Sequence, residues 1–214
     1  MLRLHSYWRS SASYRVRIAL GLKGLTFEHF TINLLKNEQG QPEFTALNPE
    51  GLVPLLEHDG LRLSQSTAII EYLEEAFPSP ALMPADLQGR ARVRAICQMI
   101  ACDIHPLNNL RVLKYLTGDM SLPSERKDTW YHHWVRVGLG AVEKRLAESA
   151  TGQFCHGDLP GMADCFLVPQ VANATRMNVD IADFKHVVEI NARCMALPAF
   201  QQAQPSACPD AVAA

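Results

Sequence analysis

The chain has 214 residues, 48% hydrophobic and 20% charged, with a formal net charge of −2. That is enough apolar material for a sizeable core in one large or two small domains, and neither half is basic enough to suggest a nucleic-acid partner. No apolar run is long enough to cross a bilayer and no secretion-type leader opens the chain, so the expected location is cytoplasmic.

In chain order, an apolar strand pattern at 2–7 runs through Arg9, Ser10 and Ser11 into a helical pattern over 11–23, with Ala12, Val16, Ala19 and Leu20 on one face and Lys23-Gly24 closing it. An alternating strand at 27–32 follows, then a short polar helix or loop at about 37–46. Strands at 53–57 and 61–63 flank the turn His58-Asp59-Gly60, a hairpin signal. A helix starting at Ser66 buries Ile69, Ile70, Leu73 and Ala76 before Pro78. The order βαβ, then ββα, predicts a small α/β unit with a mixed sheet. A proline-punctuated linker covers 77–84. Beyond it the pattern is helical throughout, at about 87–117, 124–149, 162–177 and 184–197, and the tail from Gln201 reads as a loosely held terminus. Pro106 lies inside the first long helix, where it removes a hydrogen bond to the Cys102 carbonyl and is expected to kink the chain.

Two places carry candidate chemistry. Arg9, Ser10 and Ser11 put a cation and two hydroxyls where a strand hands over to a helix N-terminus, a site for an anion. If that anion is a bound thiolate, hydroxyl donation and the helix dipole lower its pKa. Taken alone, Ser10 and Ser11 read as a helix cap. Gln65-Ser66 offer amide N–H groups and a hydroxyl at the next helix start, and again a plain cap is the alternative. The six cysteines show no C-x-x-C pairing and are expected to be reduced, several of them in the core. Cys155-His156 are sequence neighbours whose side chains point apart, so no nucleophile–base pair is expected there. His132-His133 lack metal-ligand spacing, and no metal is expected.

These residues resemble the zeta class of the glutathione transferase superfamily. SSASYRVRIAL (10–20) is similar to the class signature S-S-C-S-[WY]-R-V-R-I-A-L. The likeness continues through ALNPEGLVP (46–54), QSTAIIEYLEE (65–75), DIHPLNNLRVLKYL (103–116), GD (157–158), MADCFLVPQVANATR (162–176) and VD (179–180). The resemblance implies a thioredoxin-like, glutathione-binding N-terminal domain over 1–80, an all-helical substrate-binding domain over 88–214 and a homodimer. The class includes glutathione-dependent isomerases of maleylacetoacetate, in tyrosine and phenylalanine catabolism, and of maleylpyruvate, in aromatic degradation; general transferase or α-haloacid dehalogenase activity is a further alternative. A glutathione-fold binding protein without chemistry is the reading of a different kind, and the presence of Ser10, Ser11, Gln65 and Ser66 argues against it. Two departures stand out. Ala12 replaces the signature cysteine, which is expected to be dispensable because a serine hydroxyl suffices to hold a thiolate. Gly161 replaces the threonine of a T-M-A-D capping box, a small cost at an N-cap.

Carried onto this sequence, the resemblance implies that Ser10 or Ser11 holds the glutathione thiolate, with Arg9 beside them. Gln65 and Ser66 are expected to take the γ-glutamyl carboxylate. The Val53 backbone pairs with the cysteinyl moiety ahead of a cis Pro54, and Gln39 or Gln41 holds the glycyl carboxylate. Asp103 reaches the partner's γ-glutamyl amine in related dimers, and Asn108 and Asn109 complete the glutathione-side set. Arg9, His105, Arg111 and Arg176 are the expected partners of a dicarboxylate, since guanidinium groups hold carboxylates in two-point fashion. The chemistry expected is reversible thiolate addition that turns a C=C bond into a rotatable single bond.

Overall fold

The computed structural model describes residues 1–211, which form two compact units. Residues 1–82 and the described part of the chain from Met195 make one unit, and Met83–Cys194 make the other. Among the described residues no helix is long and apolar enough to cross a membrane.

The first unit is built on β1 (Leu2–Ser6), α1 (Ser11–Leu22), β2 (Glu28–Thr31), a short α2 (Pro42–Thr45), β3 (Leu55–His58), β4 (Leu61–Ser64) and α3 (Ser66–Ala76). The sheet order is β2-β1-β3-β4, with β1 and β2 parallel and the other pairs antiparallel, the mixed sheet expected from βαβ followed by ββα. Register places Leu4 opposite Leu56, both fully buried, as are Ile69, Ile70 and Leu73 of α3. The hairpin closes through Asp59 (φ 48°) and Gly60 (φ 85°), the paired positive φ values of a type I′ turn. β3 starts two residues later than the sequence pattern predicts. The Val53–Pro54 bond is cis and Pro54 has no N–H to give a ladder, so pairing begins at Leu55.

α1 departs from the one-sided helix expected. It is buried on nearly all sides from Ser13 to Leu20, Arg15 and Arg17 included. Such charges persist inside only when their donors find acceptors. Arg17 Nε donates to Ala203 O (2.9 Å), Nη1 to Ser6 Oγ (3.1 Å) and Nη2 to Trp8 O (3.2 Å). Lys23 at the helix end is equally committed: its Nζ donates to Glu74 Oε2 (2.7 Å), Phe77 O (2.7 Å) and Pro80 O (2.9 Å). The tail is not loose as far as it is described. α9 (Lys185–Met195) leads into α10 (Pro198–Ala203), which packs on α1 where Gly21 allows the Ala199 backbone to approach. Asp210 beyond it is nearly buried.

In the second unit the expected 87–117 helix is four pieces: α4 (Leu87–Gln98), a π-helical stretch Met99–Ile104, α5 (His105–Asn108) and α6 (Leu110–Thr117). Pro106 explains the break. It lacks an N–H and its ring excludes the carbonyl four residues back, and the chain before it widens so that His105 N–H donates to Ile100 O, an i→i−5 bond. Asn109, in extended conformation, restarts the helix by accepting from Arg111 N–H (3.1 Å). α7 (Ser124–Leu146) lies against the π-helical stretch, and α8 (Met162–Arg176) is buried along almost its whole length. Gly161 has no side chain to cap with, so only half of a capping box exists: Asp164 Oδ2 accepts from Gly161 N–H (2.8 Å) while its Oδ1 accepts from Cys155 N–H (3.0 Å).

Candidate functional site

β1 delivers the chain into a tight turn in which Ser10 N–H donates to Tyr7 O (2.9 Å). Ser10 then caps α1, its Oγ accepting from Ser13 N–H (3.2 Å). The capping and anion-holding readings are compatible. A hydroxyl that accepts through its oxygen still has its proton to donate, and the next amides belong to a helix's first turn. Ser10 is half-buried and Ser11 nearly buried; Arg9 is exposed, with its guanidinium over the Trp8 ring at 5.4 Å. Ala12 is half-buried on the first turn.

A second helix start lies beside this one. Arg15, one turn into α1, donates from Nη1 to Ser66 Oγ (3.1 Å) at the head of α3. Gln65 just before it has φ 67° and ψ 113°, a positive φ that a non-glycine residue holds only under constraint, and such outliers gather where ligands are gripped. The constraint is visible: Glu50 accepts from Ser64 Oγ (2.6 Å) through one oxygen and from Gln65 Nε2 through the other. Val53 packs with Tyr7, Phe44 and Leu55, next to Trp8, so the cis Val53–Pro54 bond sits against the turn that carries Ser10. Gln39 is half-buried and donates to Asn37 Oδ1 (2.8 Å); Gln41 is exposed and donates to Asn37 O (3.2 Å). The set of two helix starts, three hydroxyls and a strand beginning after a cis proline fits a peptide with anionic groups at its sulfur and its carboxylates.

In the second unit, His105 Nε2 and Asn109 Nδ2 are 3.3 Å apart. Asn108 points inward instead, donating to Tyr131 O (3.3 Å), and its side chain is nearly buried. Asp103 on the π-helical stretch and Arg111 on α6 are exposed. Arg176 ends α8 with its guanidinium on Asn173 Oδ1 (3.0 Å) and on the Tyr131 hydroxyl, whose pKa is pushed up by burial against the lowering effect of that cation. Three consecutive α7 residues thus grip both neighbours. Trp130 Nε1 donates to Leu107 O (2.8 Å), Tyr131 meets Asn108 and Arg176, and His132 Nε2 is 2.9 Å from Met177 O. Cys155 is ruled out as a nucleophile, since its buried thiol is pushed far above the ordinary range by desolvation and by Asp164.

Glu50, Arg15 and Tyr131 are absent from the sequence-based site. Only Arg15 carried a signal, a charge repeating with Arg17 inside an apolar helix.

The glutathione S-transferase N-terminal domain family matches residues 1–75. Maleylpyruvate isomerase of a Ralstonia species is 44% identical over 210 residues, covering 98% of this chain and 99% of its own. Maleylacetoacetate isomerase of Rhizobium meliloti is 48% identical over 202 residues, covering 94% and 95%. Among solved structures, a holo maleylpyruvate isomerase described as a bacterial zeta-class glutathione S-transferase superposes with a TM-score of 0.96 at 44% identity, over 98% of this chain and 100% of that one. Maleylacetoacetate isomerase of Methylobacterium extorquens AM1, with malonate and glutathione bound, gives 0.95 at 39% identity over 99% and 100%. A thioredoxin-like unit with a mixed four-stranded sheet and a helical unit, together with full-length kinship at this level, place the chain in the zeta class of the glutathione transferases, a family of enzymes whose cofactor is glutathione.

Proposed function

We propose that this protein catalyses the glutathione-dependent cis–trans isomerisation of maleylacetoacetate to fumarylacetoacetate, in tyrosine and phenylalanine catabolism, as a cytoplasmic homodimer. The observation that carries the reading is Ser10: its oxygen is spent on the Ser13 N–H while its proton remains for an anion at the head of α1. Bound glutathione supplies a thiolate able to add reversibly to a conjugated carbon, after which the former double bond can rotate. Ser10 and Ser11 donate to that sulfur, and the first-turn amides and Arg9 add positive potential. Gln65 and Ser66, fixed by Glu50 and Arg15, receive the γ-glutamyl carboxylate; Val53, before the cis Pro54, offers its backbone to the cysteinyl moiety, and Gln41 or Gln39 takes the glycyl carboxylate. Asp103, exposed, reaches the γ-glutamyl amine of glutathione on the partner, with Asn109 supporting that side; Asn108, turned inward onto Tyr131 O, takes no direct part. Arg9, His105, Arg111 and Arg176 hold the substrate carboxylates and stabilise charge that develops between them.

Maleylpyruvate is the second reading, supported by the TM-score of 0.96 to a maleylpyruvate isomerase. The test is a side-by-side assay of the two dicarboxylates with and without glutathione. The expected result is glutathione-dependent turnover with kcat/KM higher for maleylacetoacetate, and a Ser10→Ala variant reduced about 100-fold or more, the scale of losing one donor to a developing anion. Higher kcat/KM on maleylpyruvate selects the second reading, and turnover without glutathione rejects both.

A further inference from the structure

We propose that Asp210, some two hundred residues from the site in sequence, is a positioning residue for it: its carboxylate anchors the Trp8 backbone and so holds Arg9 and Ser10 at the head of α1. Trp8 N–H donates to Asp210 Oδ2 (2.9 Å). The Trp8 carbonyl accepts from Arg17 Nη2 (3.2 Å), and Arg17 is itself locked by Ser6 Oγ and Ala203 O. Both backbone polar groups of Trp8 are therefore bound, which fixes the peptide planes on either side of it. The next two residues are Arg9, stacked on the Trp8 ring, and Ser10, whose N–H closes the turn onto Tyr7 O.

The carboxylate sits in a place where it is costly. The Asp210 side chain is 7% exposed, and His29 Nε2 lies 3.3 Å from Oδ1, a contact that is an ion pair only when the imidazole is protonated. Burial pushes the His29 pKa down, so the imidazole is a weak source of compensating charge, while the Trp8 N–H donates to the carboxylate and the Arg17 guanidinium attracts it. Held this way, the chain end contributes one strong acceptor to the turn, and hydrogen bonds to charged acceptors are about twice as strong as neutral ones. Loss of that acceptor releases the turn just before the serine.

The inference rests on the reading that Ser10 holds the thiolate, and the test separates the two. Full-length Asp210→Ala and Asp210→Asn are compared with the parent and with Ser10→Ala for KM of glutathione, kcat, Tm and the pH titration of the bound thiolate's ultraviolet absorbance. Asp210→Ala is expected to lower kcat/KM for glutathione about tenfold and to reduce the thiolate fraction at neutral pH, a loss on the scale of one hydrogen bond to a charged group. Asp210→Asn keeps an oxygen for the Trp8 N–H, without the charge, and is expected to restore part of both. An ordinary thiol pKa in the parent overturns the Ser10 reading and this inference with it. A low pKa in the parent that Asp210→Ala leaves unchanged, with only Tm lowered, overturns the inference alone. If Asp210→Ala does not fold, Asp210→Glu, which moves the carboxylate by one methylene, is read in its place against the same two outcomes.

Discussion

At the scale of residues, the groups legible in the sequence are those whose local context announces them. Ser10 caps α1 at a strand-to-helix junction, where a hydroxyl has a standard task, and Ser66 opens α3 just after its N-cap Gln65. Glu50, Tyr131 and Asp210 act through contacts far along the chain and carry no local mark. Tyr131 shows the consequence. Its hydroxyl is buried against the Arg176 guanidinium, which also rests on Asn173. A planar cation fixed on two sides loses little further freedom when it takes a carboxylate. Tyr131→Phe removes one oxygen and little volume, so the KM for the dicarboxylate is expected to rise about three- to tenfold with kcat nearly unchanged, the scale of a net hydrogen bond. In an Arg176→Ala background the same change is expected to add nothing. Steady-state kinetics of the two single variants and the double variant measure it.

At the scale of elements, the strands and the helix punctuation were readable because each has its own chemistry: the Asp59-Gly60 turn and the Gly24 stop. The break around Pro106 was only partly so. A proline announces a kink but not whether the chain tightens or widens, and the π-helical stretch is settled by packing. Part of that packing is Gly138 of α7, where a Cβ would collide with the Ile104 side chain, itself fully buried on the stretch. Gly140, two residues on, is different: a Cβ there would meet the Phe184 ring at 3.6 Å, ordinary contact. Gly138→Ala is therefore expected to destabilise by about 1–3 kcal/mol, overpacking outweighing the gain in helix propensity. Gly140→Ala is expected to stabilise by up to about 1 kcal/mol, from propensity alone. Denaturant unfolding of the two variants checks the opposite signs, and because His105 follows Ile104, only Gly138→Ala should also raise the dicarboxylate KM.

At the scale of the whole molecule, the order of an α/β part followed by helices was legible from the change in periodicity near residue 84. The return of the chain from Met195 to the first unit was not, since α10 docks on α1 through backbone approach at Gly21 and Asp210 through a single buried contact. Ionisable groups spread over both units set the response to acid. Glu57 is held below the ordinary carboxylate range by its hydrogen bond to His5, Asp59 by the N-terminal amine, Glu148 by Arg92 and Asp183 by Arg136. Burial works to raise Glu143, but the Val187 and His186 N–H groups and the His186 ring outweigh it and the net shift is downward. A depressed carboxylate contributes stability that is whole above its unfolded value, about 4, and is lost as pH falls through the lower folded one. Asp164 has the opposite sign. Burial raises its pKa, so its contribution is whole below the unfolded value and fades as pH rises through the folded one. With five carboxylates against one, Tm is expected to fall steadily as pH drops below about 4. Asp59, Glu148 and Asp183 are solvent-exposed, so added salt should flatten their share of the slope, leaving what Glu57 and Glu143 contribute. Circular dichroism melts across pH 3 to 7 at low and high ionic strength read both effects. A Tm that rose on acidification would mean that Asp164 outweighs the other five.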